Sequence, residues 1–256
     1  MTRSLHILLD GLIDYAGLFP PASLSMEKAV ANYETYRRGP HSWALGRFVV
    51  SAERLAEVPR TFSVSVLASP DSMPAVDVVE VKAGSAREIL RIDEVRGART
   101  VYVEIQDDAL LDAIAARGLR AKIRTGGVTP DAIPSADRIA AFIRGCRDRN
   151  IPFKATAGLH HPIRCVRPLT YAADAPRATM HGFLNVFIAA ALPQFATQIL
   201  MEDNPRAFTF DDGGLWWHDL RVPSEELARL RQEIAISFGS CSFEEPIEDI
   251  KELGWL

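Results

Sequence analysis

Two lysines carry the chemistry that this sequence offers. Lys122 lies in the run A-K-I-R-T-G-G (121–127) and Lys154 in F-K-A-T-A-G (153–158), two short strand-like segments that each end in glycine. Lysine is depleted from strands and is rarely fully buried without a partner. The chain has five lysines (Lys28, Lys82, Lys122, Lys154, Lys251) among 29 basic residues, the rest being arginine. An amine that loses its proton attacks a carbonyl carbon, whereas a guanidinium does not. Two lysines at matching positions of consecutive strands therefore point to imine chemistry. A structural ion-pair network is the alternative, because such networks also cluster charge.

A scaffold must bring the two strands together. Strand-like segments fall at 12–16, 47–51, 61–69, 77–84, 99–106, 120–124, 152–156 and 236–242. Helical patterns separate them. One follows Ser25 at 26–38, a brief one covers 52–58, and Ser85 caps another running to about Val95. Others cover 107–117, 130–149, 179–201, 224–233 and 246–254, and a looser stretch rich in arginine and proline follows His161. The segment 204–223, with Gly213-Gly214 at its turn, reads as an irregular or hairpin insertion between the seventh and eighth strands. Eight strands alternating with helices predict an α/β protein, a single (β/α)8 TIM barrel spanning 1–256. Sites in such barrels lie in the loops after the strands.

Strand parity assigns faces, since successive side chains point opposite ways. The apolar sets Val79/Val81, Val101/Val103, Ala121/Ile123 and Phe153/Ala155 suit the helix layer. The polar sets then place Glu80, Lys82, Glu104, Lys122, Arg124 and Lys154 in one interior. Like charges held together in low dielectric favour the neutral form of an amine.

The lysine motifs resemble the sixth and seventh strands of deoxyribose-phosphate aldolase, a class I aldolase with a β/α barrel. D-V-V-E-V-K-A-G (77–84) is similar to that family's fourth strand, I-S-F-G-S-C-S (236–242) to its eighth and, more loosely, L-I-D-Y-A-G-L (12–18) to its first. The resemblance implies that Lys122 forms the imine and that Lys154 tunes it. It puts Asp77 at the acidic relay position by letter match, while parity turns Asp77 from the face holding Glu80 and Lys82. The family's glycine-rich phosphate turn is replaced by Gly158-Leu159-His160-His161-Pro162, and Gly239-Ser240-Cys241-Ser242 keeps small residues whose amides suit an anion. The expected site thus has Lys122, Lys154, Glu104 and Glu80 as catalytic groups. Asp14, Arg124, Thr125, Gly126, Gly158, His160, His161, Gly239, Ser240 and Ser242 are its expected substrate contacts.

His160 and His161 are adjacent and point opposite ways in an extended segment, so they do not both reach one metal. One of them with a carboxylate defines the alternative class, a metal-dependent barrel enzyme; an inactive anion-binding barrel is a third. Cys241 reads as a packed thiol, Asp211-Asp212-Gly213-Gly214 lacks the periodic oxygens of a calcium loop, and Trp216-Trp217 reads as a packing anchor or a lid. No cofactor is expected. A net charge of −4 and a pI near 5.9 argue against nucleic acid or anionic membrane as partner. Three cysteines without C-x-x-C spacing fit a reduced cytoplasmic setting. Asp10 and Asp14 interrupt any N-terminal apolar region, and no run reaches the length needed to span a bilayer. The expected partner is a small molecule, and assembly into a homo-oligomer is left open.

Overall fold

Short runs of alternating β-branched and aromatic residues make strands with one face to bury, and eight of them close on themselves. The structure, a computed structural model, describes residues 1–92 and 100–256. The first seven barrel strands are β1 (Ile13–Tyr15), β2 (Leu45–Ser51), β3 (Val64–Leu67), β4 (Val78–Lys82), β5 (Thr100–Glu104), β6 (Arg120–Arg124) and β7 (Phe153–Thr156). A ribbon of β8 (Cys165–Pro168) and β9 (Arg177–Met180) follows, then a three-stranded antiparallel sheet of β10 (Phe208–Phe210), β11 (Gly214–Trp217) and β12 (Leu220–Pro223). β13 (Ala235–Ser240) pairs with β7 on one side and β1 on the other, so every barrel strand has two parallel neighbours. This is the (β/α)8 TIM barrel that the strand count predicts.

The helices are α1 (Arg3–Leu9), α2 (Met26–Arg38), α3 (Ala86–Leu90), α4 (Leu111–Ala116), α5 (Ala136–Asp148), α6 (Phe183–Ala191), α7 (Ala196–Met201), α8 (Ser224–Glu233) and α9 (Glu244–Glu252). Ser25, Ser85 and Ser135 each accept a hydrogen bond from the backbone N–H three residues on, fixing the starts of α2, α3 and α5. Between β2 and β3 there is only the 3-10 segment Ala52–Glu57. The expected extension of α3 to Val95, and Arg99 of the fifth strand, lie outside the described residues.

Four differences from the sequence reading have local causes. α1 occupies a stretch read without a helix, burying Leu5, Leu8 and Leu9. The expected helix 179–201 is two helices, because β9 runs on to Met180 and Pro193 interrupts the hydrogen-bond ladder. The loose stretch after His161 is the β8–β9 ribbon. The insertion near 204–223 is an ordered sheet that packs on α1 and α8. At its turn the Asp211 carboxylate takes the amides of Gly213 (2.7 Å) and Gly214 (2.8 Å). Trp216 donates to Asp211 Oδ2 at 3.1 Å and Trp217 packs on Phe195, so both are packing anchors and neither lines the barrel mouth.

Buried Arg231 of α8 ties together the end away from the mouth, donating to the carbonyls of Leu8 (2.9 Å), Asp10 (3.0 Å), Ile236 (2.5 Å) and Ala235. Burial lowers its pKa to about 10. Among the described residues no helix is long and apolar enough to cross a membrane.

Candidate active site at the mouth of the barrel

The register of β4 to β7 sets polar side chains side by side around the barrel axis. Lys82 is level with Glu104, Glu104 with Lys122, and Lys122 with Lys154. Their heads join in one chain of contacts. Lys154 Nζ lies 2.7 Å from Asp14 Oδ2 and 2.5 Å from Glu80 Oε1. Glu80 Oε2 is 2.7 Å from Lys122 Nζ, which is also 2.9 Å from Glu104 Oε2. The last contact is an ion pair without hydrogen-bond alignment. Glu104 Oε1 then faces two cations at the mouth, Lys82 at 3.6 Å and Arg124 at 3.9 Å. Two hydroxyls complete the chain: Ser65 donates to Glu80 at 2.6 Å and Ser237 to Asp14 at 2.8 Å. Inward parity on β3 and β13 could have flagged both serines.

The inner groups are held in fixed charge states. Burial alone would raise the Glu80 pKa, but Lys122 and Lys154 outweigh it and hold this carboxyl well below its usual range. Burial would lower Lys154, and Asp14 and Glu80 reverse that, raising its pKa. Lys154 meets Lys122 only through Glu80, which bonds one amine on each oxygen.

Above this network the mouth opens as a cavity of about 330 Å³, lined among others by Glu80, Glu104, Lys122, Lys154, Lys82 and Arg124. Gly239 contributes from the end of β13, Gly158, His160 and Cys241 from the loops after β7 and β13, and the Phe19-Pro20-Pro21 loop covers one side. The remaining expected contacts stand elsewhere. Asp14 sits beneath Lys154, takes the Arg47 amide at 2.7 Å, and lines a separate cavity of about 290 Å³ around the N-terminal ends of the strands. Thr125 donates to the carbonyls of Thr156 (3.2 Å) and Ala157 (2.7 Å), tying the β6 loop to the β7 loop. Gly126 approaches Gly158 so closely that a Cβ on Gly126 would stand 2.9 Å from the Gly158 Cα. Ser240 Oγ accepts from the Ser242 amide, and Ser242 Oγ caps α9 by accepting from Glu245 N at 3.1 Å. The Ser242 amide is thus already engaged within the loop. Asp77 is exposed just before β4, at the end away from the mouth.

The two histidines part as their adjacency requires. His160 Nδ1 faces Glu245 Oε2 at 3.0 Å and Cys241 Sγ at 3.9 Å; His161 Nδ1 faces Asp249 Oδ2 at 2.5 Å, one turn along α9. Burial disfavours the His160 cation, yet its bonds to Cys241 and Glu245 push the pKa up to about 10. His161 lines a neighbouring cavity of about 210 Å³ that shares Pro21 and His160 with the first. Tyr171, from the loop of the β8–β9 ribbon, brings its hydroxyl 3.6 Å from Cys241 Sγ and 3.5 Å from Glu245 Oε2. No strand or helix pattern placed Tyr171 here, and Cys241 was read as mere packing. Among the described residues no three His, Cys, Asp or Glu side chains converge to hold a metal ion.

Fold and geometry together define a class: TIM barrels are commonly enzymes, and their sites lie at this face. No family model matches the chain, and no curated protein matches it.

Proposed function

We propose that the protein is a class I, imine-forming carbon–carbon lyase of the aldolase type, acting on a small carbonyl compound that bears a carboxylate or phosphate. The observation that carries this reading is the Lys122 amine, which lines the mouth cavity with a carboxylate on either side, Glu80 at 2.7 Å and Glu104 at 2.9 Å. Glu80 and Lys154 are pinned as anion and cation by each other and by Ser65 and Asp14. In this reading Lys122 is the nucleophile and Glu104 its proton acceptor, their 2.9 Å contact aligning into a hydrogen bond as the proton passes.

In this mechanism Lys122 passes a proton to Glu104 and its nitrogen adds to the substrate carbonyl carbon. Glu104 returns the proton to the carbinolamine hydroxyl, which leaves as water. The iminium so formed draws in the electrons of the neighbouring C–C bond. The β-hydroxyl of the departing fragment gives its proton to Glu104 as that fragment becomes an aldehyde. Protonation of the enamine and hydrolysis release the second product and restore the amine. Lys82 and Arg124 hold the substrate's anionic group at the rim.

A barrel that only binds anions is the second reading, and the same contacts favour it: an amine between two carboxylates is also what a structural ion-pair network contains. Borohydride reduction in the presence of 2-oxo acids and small aldehydes separates the two. The parent protein is expected to gain the mass of the reduced adduct on the peptide containing Lys122. Lys122→Arg keeps the charge and is expected to gain nothing. A parent protein that traps no small carbonyl compound, or a variant that traps as well as the parent, sinks the lyase reading.

A further inference from the structure

The cavity has a second nucleophile that the imine chemistry leaves unused. Cys241 follows β13, is nearly buried, and lines the same cavity as Lys122 from a different strand end. Two polar groups stand against its sulfur, the His160 imidazole at 3.9 Å and the Tyr171 hydroxyl at 3.6 Å, and Glu245 holds both of them. We propose that Cys241 and His160 form a second covalent site in the cavity, which takes a small aldehyde as a thiohemiacetal.

The geometry selects addition over acyl transfer. In a cysteine–histidine hydrolase, one ring nitrogen takes the thiol proton while the other is oriented by a carboxylate. Here the same nitrogen, Nδ1 of His160, faces both Cys241 and Glu245. The imidazole therefore works through one nitrogen beside the sulfur, handing on a proton and taking one back, with no carboxylate relayed through the ring. Addition to an aldehyde needs only that. The S–C bond forms as the carbonyl π bond opens, His160 gives its Nδ1 proton to the oxygen, and the thiol proton replaces it on the ring. No leaving group, oxidant or reductant is required. The raised pKa of His160 fits a proton held on the ring. The other two cysteines have no such setting. Burial pushes the Cys165 thiol up to about 11, and raises that of Cys146, which sits in the α5 core.

Limited labelling of the native protein with iodoacetamide, read by peptide mass spectrometry, tests the site without reference to the imine. Cys241 is expected to label well before Cys146 and Cys165, with His160→Gln slowing it about tenfold. Should that variant fail to fold, Glu245→Gln supplies the same comparison. Glycolaldehyde is expected to protect Cys241 in the parent and equally in Lys122→Arg, which forms no imine. Protection confined to the parent would mean that the aldehyde sits on Lys122 alone, and would overturn the proposal. Labelling of Cys146 or Cys165 at the rate of Cys241 would overturn it too, as would labelling of Cys241 only after unfolding.

Discussion

Glu80 is the hinge of the ion network, since each of its oxygens meets a different amine and Ser65 bonds one of them. Glu80→Gln removes the charge that both amines share, leaving Lys154 with Asp14 and Lys122 with Glu104 as their remaining carboxylates. Breaking a buried pair from one side costs roughly 3–5 kcal/mol, and urea unfolding at neutral pH is expected to show a loss of that order. The carboxyl's pKa is depressed on folding, so its contribution is present above its ordinary value of 4.5 and is lost as pH falls below it. The parent's advantage over Glu80→Gln should therefore shrink on acidification. His160 has the opposite sign. Its pKa rises on folding from 6.5 to about 10, so its contribution is complete below pH 6.5 and is lost as pH climbs towards 10. Melting temperatures of the parent and His160→Gln should converge between those limits. A gap that stays constant across that range would show that Glu245 and Cys241 do not hold the proton on the ring.

Loops after β6 and β7, the two lysine strands, meet at a pair of glycines. A Cβ on Gly158 would stand 2.8 Å from the Gly126 Cα, and Gly158 has a φ of 74°, in the left-handed region that favours glycine. Gly126→Ala must push the loops apart, at a cost of about 1–3 kcal/mol. It is expected to reduce borohydride trapping at Lys122 while the lysine itself is unchanged. Unaltered trapping and stability would show that the loop contact is slack. The elements around these loops were largely legible in the sequence. Alternation on β4 to β7 is read directly from side-chain period, and that period alone assembles the ring of Glu80, Glu104, Lys122 and Lys154. The failures came where tertiary context decides. Pro193 split a pattern that looked continuous, and the β8–β9 ribbon pairs through backbone groups that carry no hydrophobic signature. Ser240 and Ser242 looked like anion ligands because small residues suit an anion, yet the turn uses one to bond the other's amide and the second to cap α9. Tyr171 reaches Cys241 and the neighbouring cavity from a loop, and loop reach has no period to read.

The molecule as a whole carries a net charge of −4, which repels anions at long range. Deep in the barrel the balance is also negative, with Asp14, Glu80 and Glu104 set against Lys122 and Lys154. Only at the rim does the sign change. Lys82 and Arg124 have side chains 72% and 47% exposed, and they reach Glu104 at no closer than 3.6 Å. Most of their charge is therefore available to a ligand. A carboxylate or phosphate on the substrate would be held there while its carbonyl reaches Lys122 below. Because the rim is solvated, each cation is expected to contribute only about 0.5–1 kcal/mol, a few-fold in half-saturating concentration. Screening by salt should weaken the effect further. The comparison to make is pyruvate against neutral glycolaldehyde, scored as the concentration giving half-maximal borohydride trapping. Lys82→Gln and Arg124→Gln are expected to raise that concentration for pyruvate and leave it nearly unchanged for glycolaldehyde. Added salt should do the same to the parent. Equal shifts for both compounds would mean that the rim cations shape the cavity instead of binding the anion, and a substrate without an anionic group would then be the better choice.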